Sequence, residues 1–497
     1  MSRALARRLA RAHATVADGR TRAVLALGSN QGDRVGLFRD AFAKLRRDLG
    51  FELHAHSSLY ETAPAYVEDQ GKFLNAACVG SFPDDVARDP LALLDGLKAI
   101  EAALGRDFGT RRYGPRPMDL DVIFHGQGSH SCDRLTVPHA RYAERPFVLA
   151  PLADLTGAAT ATTTSDATTE GLLEARRIWD GTDGEVTAME SGDIARVIPM
   201  RDRLWSWGRE TMVMGILNVT PDSFSDGGAY DGGVDVAVRH AREMVAAGAT
   251  IIDVGGQSTR PGATRVSGEV ESSRVIPVIR ALAQAFSERE DVYISVDTFY
   301  GAVASAAADA GADIINDVSG GAWDPAMLPT VARLEKPLPY VVMHVRGDPN
   351  SMQSAKNTTY DGHICDEVGD GLLATARRCV EYGIEPWRLW IDPGIGFAKT
   401  GRANIELLRD LPRVRSRLAP LGGALMNAPM LVGASRKRFL GEISGRSEAS
   451  ERDAASVAAL VAAVRGGADI VRVHNVALSA DAARVADAVW RLSLIHI

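Results

Sequence analysis

Cysteine is scarce in this chain. Its 497 residues hold four, Cys78, Cys132, Cys365 and Cys379, with no CxxC pair and no metal-ligand spacing. That excludes a disulfide-built fold and a zinc module, and reads as reduced thiols in a reducing compartment. Long apolar runs are also missing: the longest candidate, Ala454–Val464, falls short of the roughly 18 residues of a membrane span, so no membrane partner is expected. Nor is there an excess of basic charge. The formal charge is −7, which leaves no overall field to attract nucleic acid. What remains, 46% hydrophobic and 24% charged residues, is globular, and the length implies two or three domains.

Basic charge is concentrated at the start. Residues 1–22 carry Arg3, Arg7, Arg8, Arg11, Arg20 and Arg22 against one acid, Asp18, with Leu5 and Leu9 on one helical face. The stretch reads either as an organellar transit peptide or as a disordered basic tail. The first reading gives a mitochondrial location, with cytoplasm or plastid as alternatives.

From residue 23 two rhythms follow one another. Ala23–Gly28, Phe51–Tyr60, Lys72–Phe82 and Met118–Phe124 read as strands, and Arg34–Leu49 and Pro90–Leu104 as helices. The order β-α-β-β-α-β predicts an α+β, ferredoxin-like domain over 23–192. Residues 156–170 are small, polar and repetitive, and read as a mobile, disordered insertion. A second domain, 197–497, repeats short apolar runs followed by helical stretches. The runs are Met212–Leu217, Thr250–Val254, Val292–Val296, Ile314–Asn316, Tyr340–His344, Leu389–Asp392, Met430–Gly433 and Ile470–Val473. This is the pattern of a (β/α)8 TIM barrel, a doubly wound sheet being the alternative. Polar residues recur at the strand exits, where a barrel places its chemistry: Asn218, Asp297, Asn316, Asp317, His344, Asp392, Lys437, Arg472 and His474.

Asp119 and Asp121 are two apart in a strand and share a face. Alone, such a pair is most often a solvated strand face. Here Arg106, Arg111, Arg112 and Arg116 precede it, and acids among dense arginines suit a polyphosphate with Mg2+. The motifs ALGSN (26–30), YETAP (60–64), FLNAA (73–77), GPRPMDLDV (114–122) and LTVPH (135–139) resemble hydroxymethyl-dihydropterin pyrophosphokinase. The resemblance implies that Asp119 and Asp121 hold Mg2+ between ATP and the pterin hydroxymethyl oxygen, with Arg106 and Arg116 stabilising the transferring charge. It implies ATP contacts from Glu101, Arg106, Arg134, His139 and Arg145. Asn75 would bond the pterin edge, between Phe73 and Phe147. Gly109 and Ala140 stand where that family often has lysine and tyrosine.

Downstream, MGILNVTPDSFSDGG (214–228), GGQSTRPGA (255–263), IDPGIGFAK (391–399), GASRK (433–437) and RVHN (472–475) resemble dihydropteroate synthase. By that resemblance Asp297, Asn316 and Asp392 hydrogen-bond a pterin walled by Met343 and Phe397, with Lys437 on its carbonyl and ring nitrogen. Asn218, through Mg2+, together with Arg260, Arg472 and His474, would bind the pyrophosphate. Thr259, Pro261, Ser223 and Phe224 would shape the para-aminobenzoate pocket. The two resemblances together imply a bifunctional transferase of tetrahydrofolate biosynthesis, a homodimer or higher oligomer through the barrel. Two alternatives stay open: a chain with only the synthase active, and a non-catalytic pterin-binding protein.

Overall fold

A computed structural model describes residues 19–110, 113–161, 166–182, 193–220, 230–258, 262 and 264–491. The chain forms two compact units: Met1–Ile198 with Leu418–Asn427, and Pro199–Arg417 with Ala428–Ile497. The border lies slightly later than 192–197 because the strand Ile194–Met200 pairs into the first sheet. The segment 418–427, expected with the barrel, groups with unit one, where Asn427 Nδ2 donates to Asp154 Oδ1 at 3.1 Å.

Unit one is built on β1 (Arg20–Ser29), β2 (Glu52–His56), β3 (Leu59–Thr62), β4 (Phe73–Pro83) and β5 (Asp119–His125). A short β6 (His130–Ser131) and β7 (Thr136–Val137) pair with each other, and β8 (Ile194–Met200) extends the main sheet, while β9 (Arg203–Trp205) falls within unit two. The sheet of unit one runs β5-β1-β4-β3-β8, with β2 beside β4. The pairs among β1 to β5 are antiparallel, as the α+β reading requires. Helix Arg34–Leu49 starts where Asp33 accepts from Gly36 N at 2.9 Å and stops at left-handed Gly50; Phe38, Ala41 and Leu45 face inward. Helix Pro90–Ala103 starts with proline in its first turn, Asp89 accepting from Leu91 N at 3.0 Å.

Two expectations are corrected. The single strand Phe51–Tyr60 is broken at Ser57–Ser58: the Ser57 hydroxyl accepts from Ala77 N at 2.9 Å and Ser58 N donates to Asp154 Oδ2 at 2.9 Å. The insertion 156–170 is helical over Thr156–Thr160 and from Ala167 onward; residues 162–165 lie outside the described ones. Its alanines and threonines suit close packing, with Ala158, Ala159, Thr168 and Thr169 buried. Asp166 caps the helix Ala167–Gly181 through Thr169 N at 2.9 Å and pairs with buried Arg22 at 3.1 Å.

Unit two is the barrel. Its strands are β10 (Met212–Asn218), β11 (Ile251–Gly255), β12 (Tyr293–Asp297), β13 (Ile314–Asp317), β14 (Tyr340–Met343), β15 (Leu389–Asp392), β16 (Leu431–Val432) and β17 (Ile470–Val473). All pair parallel in the order β15-β14-β13-β12-β11-β10-β17-β16, and the bridge Ile391↔Met430 links the two ends. The register sets Asn218, Gly255, Asp297 and Asn316 in one row across four neighbouring strands, at their C-terminal ends. Among the described residues no helix is long and apolar enough to cross a membrane.

Two candidate active sites

In unit one, Gly28 sits opposite both Asn75 and Asp119, so the central strand β1 lies between the amide and the carboxylate. A Cβ on Gly28 would come within 3.0 Å of Asn75 Oδ1; only glycine leaves that amide where it is, donating to Thr62 Oγ1 at 2.8 Å. A cavity of about 440 Å³ opens above these strands, lined by Phe73, Asn75, Arg106, Arg116, Asp119, Asp121, His139, Arg145 and Phe147 among others. The structure thus brings together nine of the residues singled out from the sequence, drawn from strands, helix ends and loops far apart in the chain.

The charges oppose one another closely. Arg116 Nε lies 2.9 Å and Arg106 Nη1 3.5 Å from the Asp119 carboxylate. Burial pushes the Asp121 carboxyl up, and neighbouring Asp119 adds to the rise. Burial also lowers His139, with Asp121 pulling the other way. Two carboxylates crowded on one strand face, one of them reluctant to ionise, form a site that a hard cation would relieve.

Two residues expected at the nucleotide are not in this cavity. Glu101 is fully buried behind β5, its Oε1 accepting from Leu120 N at 2.7 Å and Lys98 Nζ at 2.6 Å. Arg134 is exposed and paired with Asp95. Arg111 and Arg112 lie outside the described residues. The cavity also has an aromatic mouth that sequence reading missed. Tyr66 and Tyr113 stack at 4.5 Å, Arg145 Nε donates to Tyr66 OH at 3.1 Å, and Arg141 Nη1 donates to Tyr113 OH at 2.9 Å. Polar aromatics in loops carry no periodic signal by which to find them.

In unit two, Arg472 on β17 reaches across the barrel. Its Nε donates to Asp253 Oδ2 and its Nη2 to Asp297 Oδ2, both at 2.7 Å, and Asn316 Nδ2 donates to Asp253 Oδ2 at 3.1 Å. Burial pushes Asp297 up to about 7, Arg472 opposing the rise and Asp253 adding to it. Burial likewise raises Asp392 to about 6, against a hydrogen bond from Gly394 N at 2.7 Å. Such carboxylates, raised by burial and held in a dry rim, suit a donor-rich heterocycle.

Phe397 packs on the apolar cluster of Phe299, Val318 and Met343, and the Lys437 ammonium lies 4.1 Å from the centre of its ring. Gly396, at φ 81°, lets the Lys437 stem pass; a Cβ there would meet Lys437 Cδ at 2.8 Å. Asn218 and Asp297 flank Gly255, each with an oxygen 3.7 Å from where a Gly255 Cβ would stand. His474 Nδ1 is 3.0 Å from Ser435 Oγ. Ser223, Phe224, Thr259, Arg260 and Pro261 lie outside the described residues.

Two groups here were not foreseen. Asp253 was hidden inside the apolar run Thr250–Val254. Lys399 is buried beside His344, its Nζ 3.1 Å from His344 Nδ1 and donating to Phe397 O at 2.9 Å. Burial lowers Lys399 to about 7 and drives His344 well below its usual range. An acid inside a strand otherwise apolar was the available signal for the first; nothing distinguished Lys399 from a rim lysine.

An α+β domain with carboxylates under arginines, followed by a barrel whose rim holds half-neutral acids around one arginine, defines a two-site transferase for charged phosphates and a polar heterocycle. Comparison with known proteins agrees. Residues 24–157 match the family of 7,8-dihydro-6-hydroxymethylpterin-pyrophosphokinases, and residues 214–474 match the pterin binding enzymes. A mitochondrial folate synthesis bifunctional protein of Arabidopsis thaliana is 48% identical over 94% of this chain and 83% of its own length. Another, from Pisum sativum, is 48% identical over 94% of this chain and 89% of its own. A solved dihydropteroate synthase of Xanthomonas albilineans with 4-aminobenzoic acid is 39% identical, covering 60% of this chain and all of its own, at a TM-score of 0.52. The chain belongs to the family of bifunctional folate synthesis proteins. It is an enzyme with pterin pyrophosphokinase and dihydropteroate synthase activities.

Proposed function

We propose that the first site works with ATP and Mg2+ and hands its product to the second. The observation that carries this is the convergence of Asp119 and Asp121 with Arg106 and Arg116 over Asn75, Phe73 and Phe147 in one cavity. The pterin's hydroxymethyl oxygen attacks the β-phosphorus of ATP and its proton passes to solvent; the bond to the α-phosphate oxygen breaks and AMP leaves. Asn75 holds the pterin edge between Phe73 and Phe147, while Arg106, Arg116, His139 and Arg145 take the charge of the triphosphate. Magnesium bound by Asp119 and Asp121 would neutralise the polyphosphate, and the strained pairing of these two acids fits such an ion.

In the barrel, Asp297, Asn316 and Asp392 bind the pterin, Met343 and Phe397 wall it, and Lys437 meets its carbonyl. The carbon–oxygen bond to pyrophosphate breaks, the pterin carries the positive charge, and the amine of para-aminobenzoate attacks and loses a proton. Arg472, His474, Arg260 and Asn218 receive the departing pyrophosphate, and Thr259 borders the amine pocket. Asn218 offers one amide oxygen, so at a second Mg2+ the pyrophosphate itself would supply further ligands. Exposed Leu478, Val485, Val489 and Trp490 on helix Val476–Trp490 support a homodimer through the barrel. The arginine-rich residues 1–22 and the mitochondrial relatives support a mitochondrial location.

The test is AMP release from ATP with hydroxymethyl-dihydropterin and Mg2+, followed by dihydropteroate on adding para-aminobenzoate. Pterin-dependent AMP that Asp119→Ala abolishes is the expected result. Dihydropteroate formed only from pre-formed pterin pyrophosphate would leave the barrel as the sole active site.

A further inference from the structure

Strand β5 carries both carboxylates of the first site, yet it is the edge of its sheet. An edge strand exposes main-chain groups that nothing in the sheet satisfies, and it twists and frays more readily than an inner one. In β5, Leu120 stands buried between Asp119 and Asp121, and its main-chain groups are met by side chains of a helix. Its N–H donates to Glu101 Oε1 at 2.7 Å, and its C=O accepts from Lys98 Nζ at 3.3 Å. Lys98 and Glu101 are three apart on helix Pro90–Ala103 and are joined at 2.6 Å. One ion pair therefore grips both polar groups of the single residue whose orientation sets the tilt of the two flanking carboxylates.

The same helix end reaches the arginines. Glu101 O accepts from Arg106 N at 3.0 Å, and Arg106 Nη1 donates to Met118 O at 3.1 Å. Moving Glu101 would thus move β5 and the start of the arginine loop together.

We infer that Lys98 and Glu101 form a positioning clamp that fixes Asp119 and Asp121 in the orientation needed to share divalent ions with the bound nucleotide. The inference rests on the reading of those two aspartates as metal-binding. Neither clamp residue lines the cavity, so the clamp acts through the strand.

The experiment measures Mn2+ bound to the full-length protein by electron paramagnetic resonance, with an ATP analogue bridged by methylene between its α- and β-phosphorus. Asp119→Asn is the reference: wild-type binding that this variant does not reduce would overturn the metal reading itself. Given that reduction, Lys98→Met is expected to weaken Mn2+ about 10–100-fold, the usual effect of losing an outer partner of a metal ligand. Lys98→Arg, which still reaches Glu101 and a carbonyl, is expected to recover most of the affinity. Should Lys98→Met fail to fold with Glu101 left unpaired, the neutral double variant K98M/E101Q replaces it, with the same loss expected. Dihydropteroate formation from pre-formed pterin pyrophosphate serves as the folding control. Unchanged Mn2+ affinity in the folded variant, whatever its thermal stability, would overturn the clamp.

Discussion

Replacing Arg472 by methionine removes the guanidinium that is bonded to both Asp253 and Asp297. Asp253 is fully buried and Asp297 nearly so, at 0% and 8% exposure, and each accepts a 2.7 Å bond from this one guanidinium. Breaking a buried pair from one side typically costs about 3–5 kcal/mol, because the charge left behind keeps its desolvation penalty. Asn316 still donates to Asp253, so about 4 kcal/mol near neutral pH is a fair expectation. The pH dependence follows from Asp297, which burial already raises to about 7 against the opposing pull of Arg472. Without Arg472 it rises further. The folded variant then holds a proton that the unfolded chain releases above its ordinary range of about 4. Stability must fall as pH rises through that window, by up to about 1.4 kcal/mol per unit for each proton. The wild type loses stability in the same way up to about pH 7. The variant's deficit is therefore nearly constant from about pH 5 to about 7 and grows above it, being larger near about pH 8 than near about pH 5. Urea unfolding followed by tryptophan fluorescence reads it, since Trp323, Trp387 and Trp390 lie in the barrel unit. A deficit below about 1 kcal/mol at the higher pH, or one that does not shrink at the lower, would refute the reasoning.

Three further outcomes can be checked. Gly28→Ala sets a methyl 3.0 Å from Asn75 Oδ1 and should raise the KM for hydroxymethyl-dihydropterin about tenfold, a shift of about 1.4 kcal/mol, while leaving the synthase half-reaction alone. Steady-state kinetics of both half-reactions decides it. Ala398 sits at φ 52°, a left-handed conformation costing about 1–2 kcal/mol for alanine. Ala398→Gly should therefore stabilise the barrel by about 0.5–1 kcal/mol after glycine's own entropy cost, visible as a higher Tm. Lys399, lowered to about 7 by burial, binds its proton less readily folded than unfolded. Wild-type stability should accordingly rise with pH between about 7 and about 10.4, and Lys399→Met should flatten that rise in urea melts taken across the window.

Much of this was legible because periodic patterns report packing directly. Eight apolar runs spaced by amphipathic helices left little but a barrel, and their boundaries fall within a few residues of the strands observed. The DLD and arginine-loop residues were recognisable for a chemical reason: adjacent acids on one face need a cation or arginines. Where reading failed, polarity had been taken as a measure of exposure. Residues 156–170 are poor in large apolar side chains, yet small residues pack well between elements that others supply, and a single cap at Asp166 starts the helix that covers Phe124. Glu101 failed in the opposite way: its family position suggested a ligand contact, but the side chain faces the main chain of Leu120, a direction no spacing reveals.

Asp253 shows what such misses have in common. In IIDVG the aspartate looks like an interruption of an apolar strand, and only the fold shows that its partner is Arg472, 219 residues away. An ionised carboxylate at 0% exposure is untenable alone, so its presence in a core strand already implied a cation from another strand end. Arg472 likewise interrupts the apolar run IVRV (470–473), and the sheet order puts β10 alone between the two strands. The two anomalies explain each other. Each alone would be a costly defect; together they place a fixed charge pair at the rim, and with it the orientation of Asp297, which accepts from the same guanidinium.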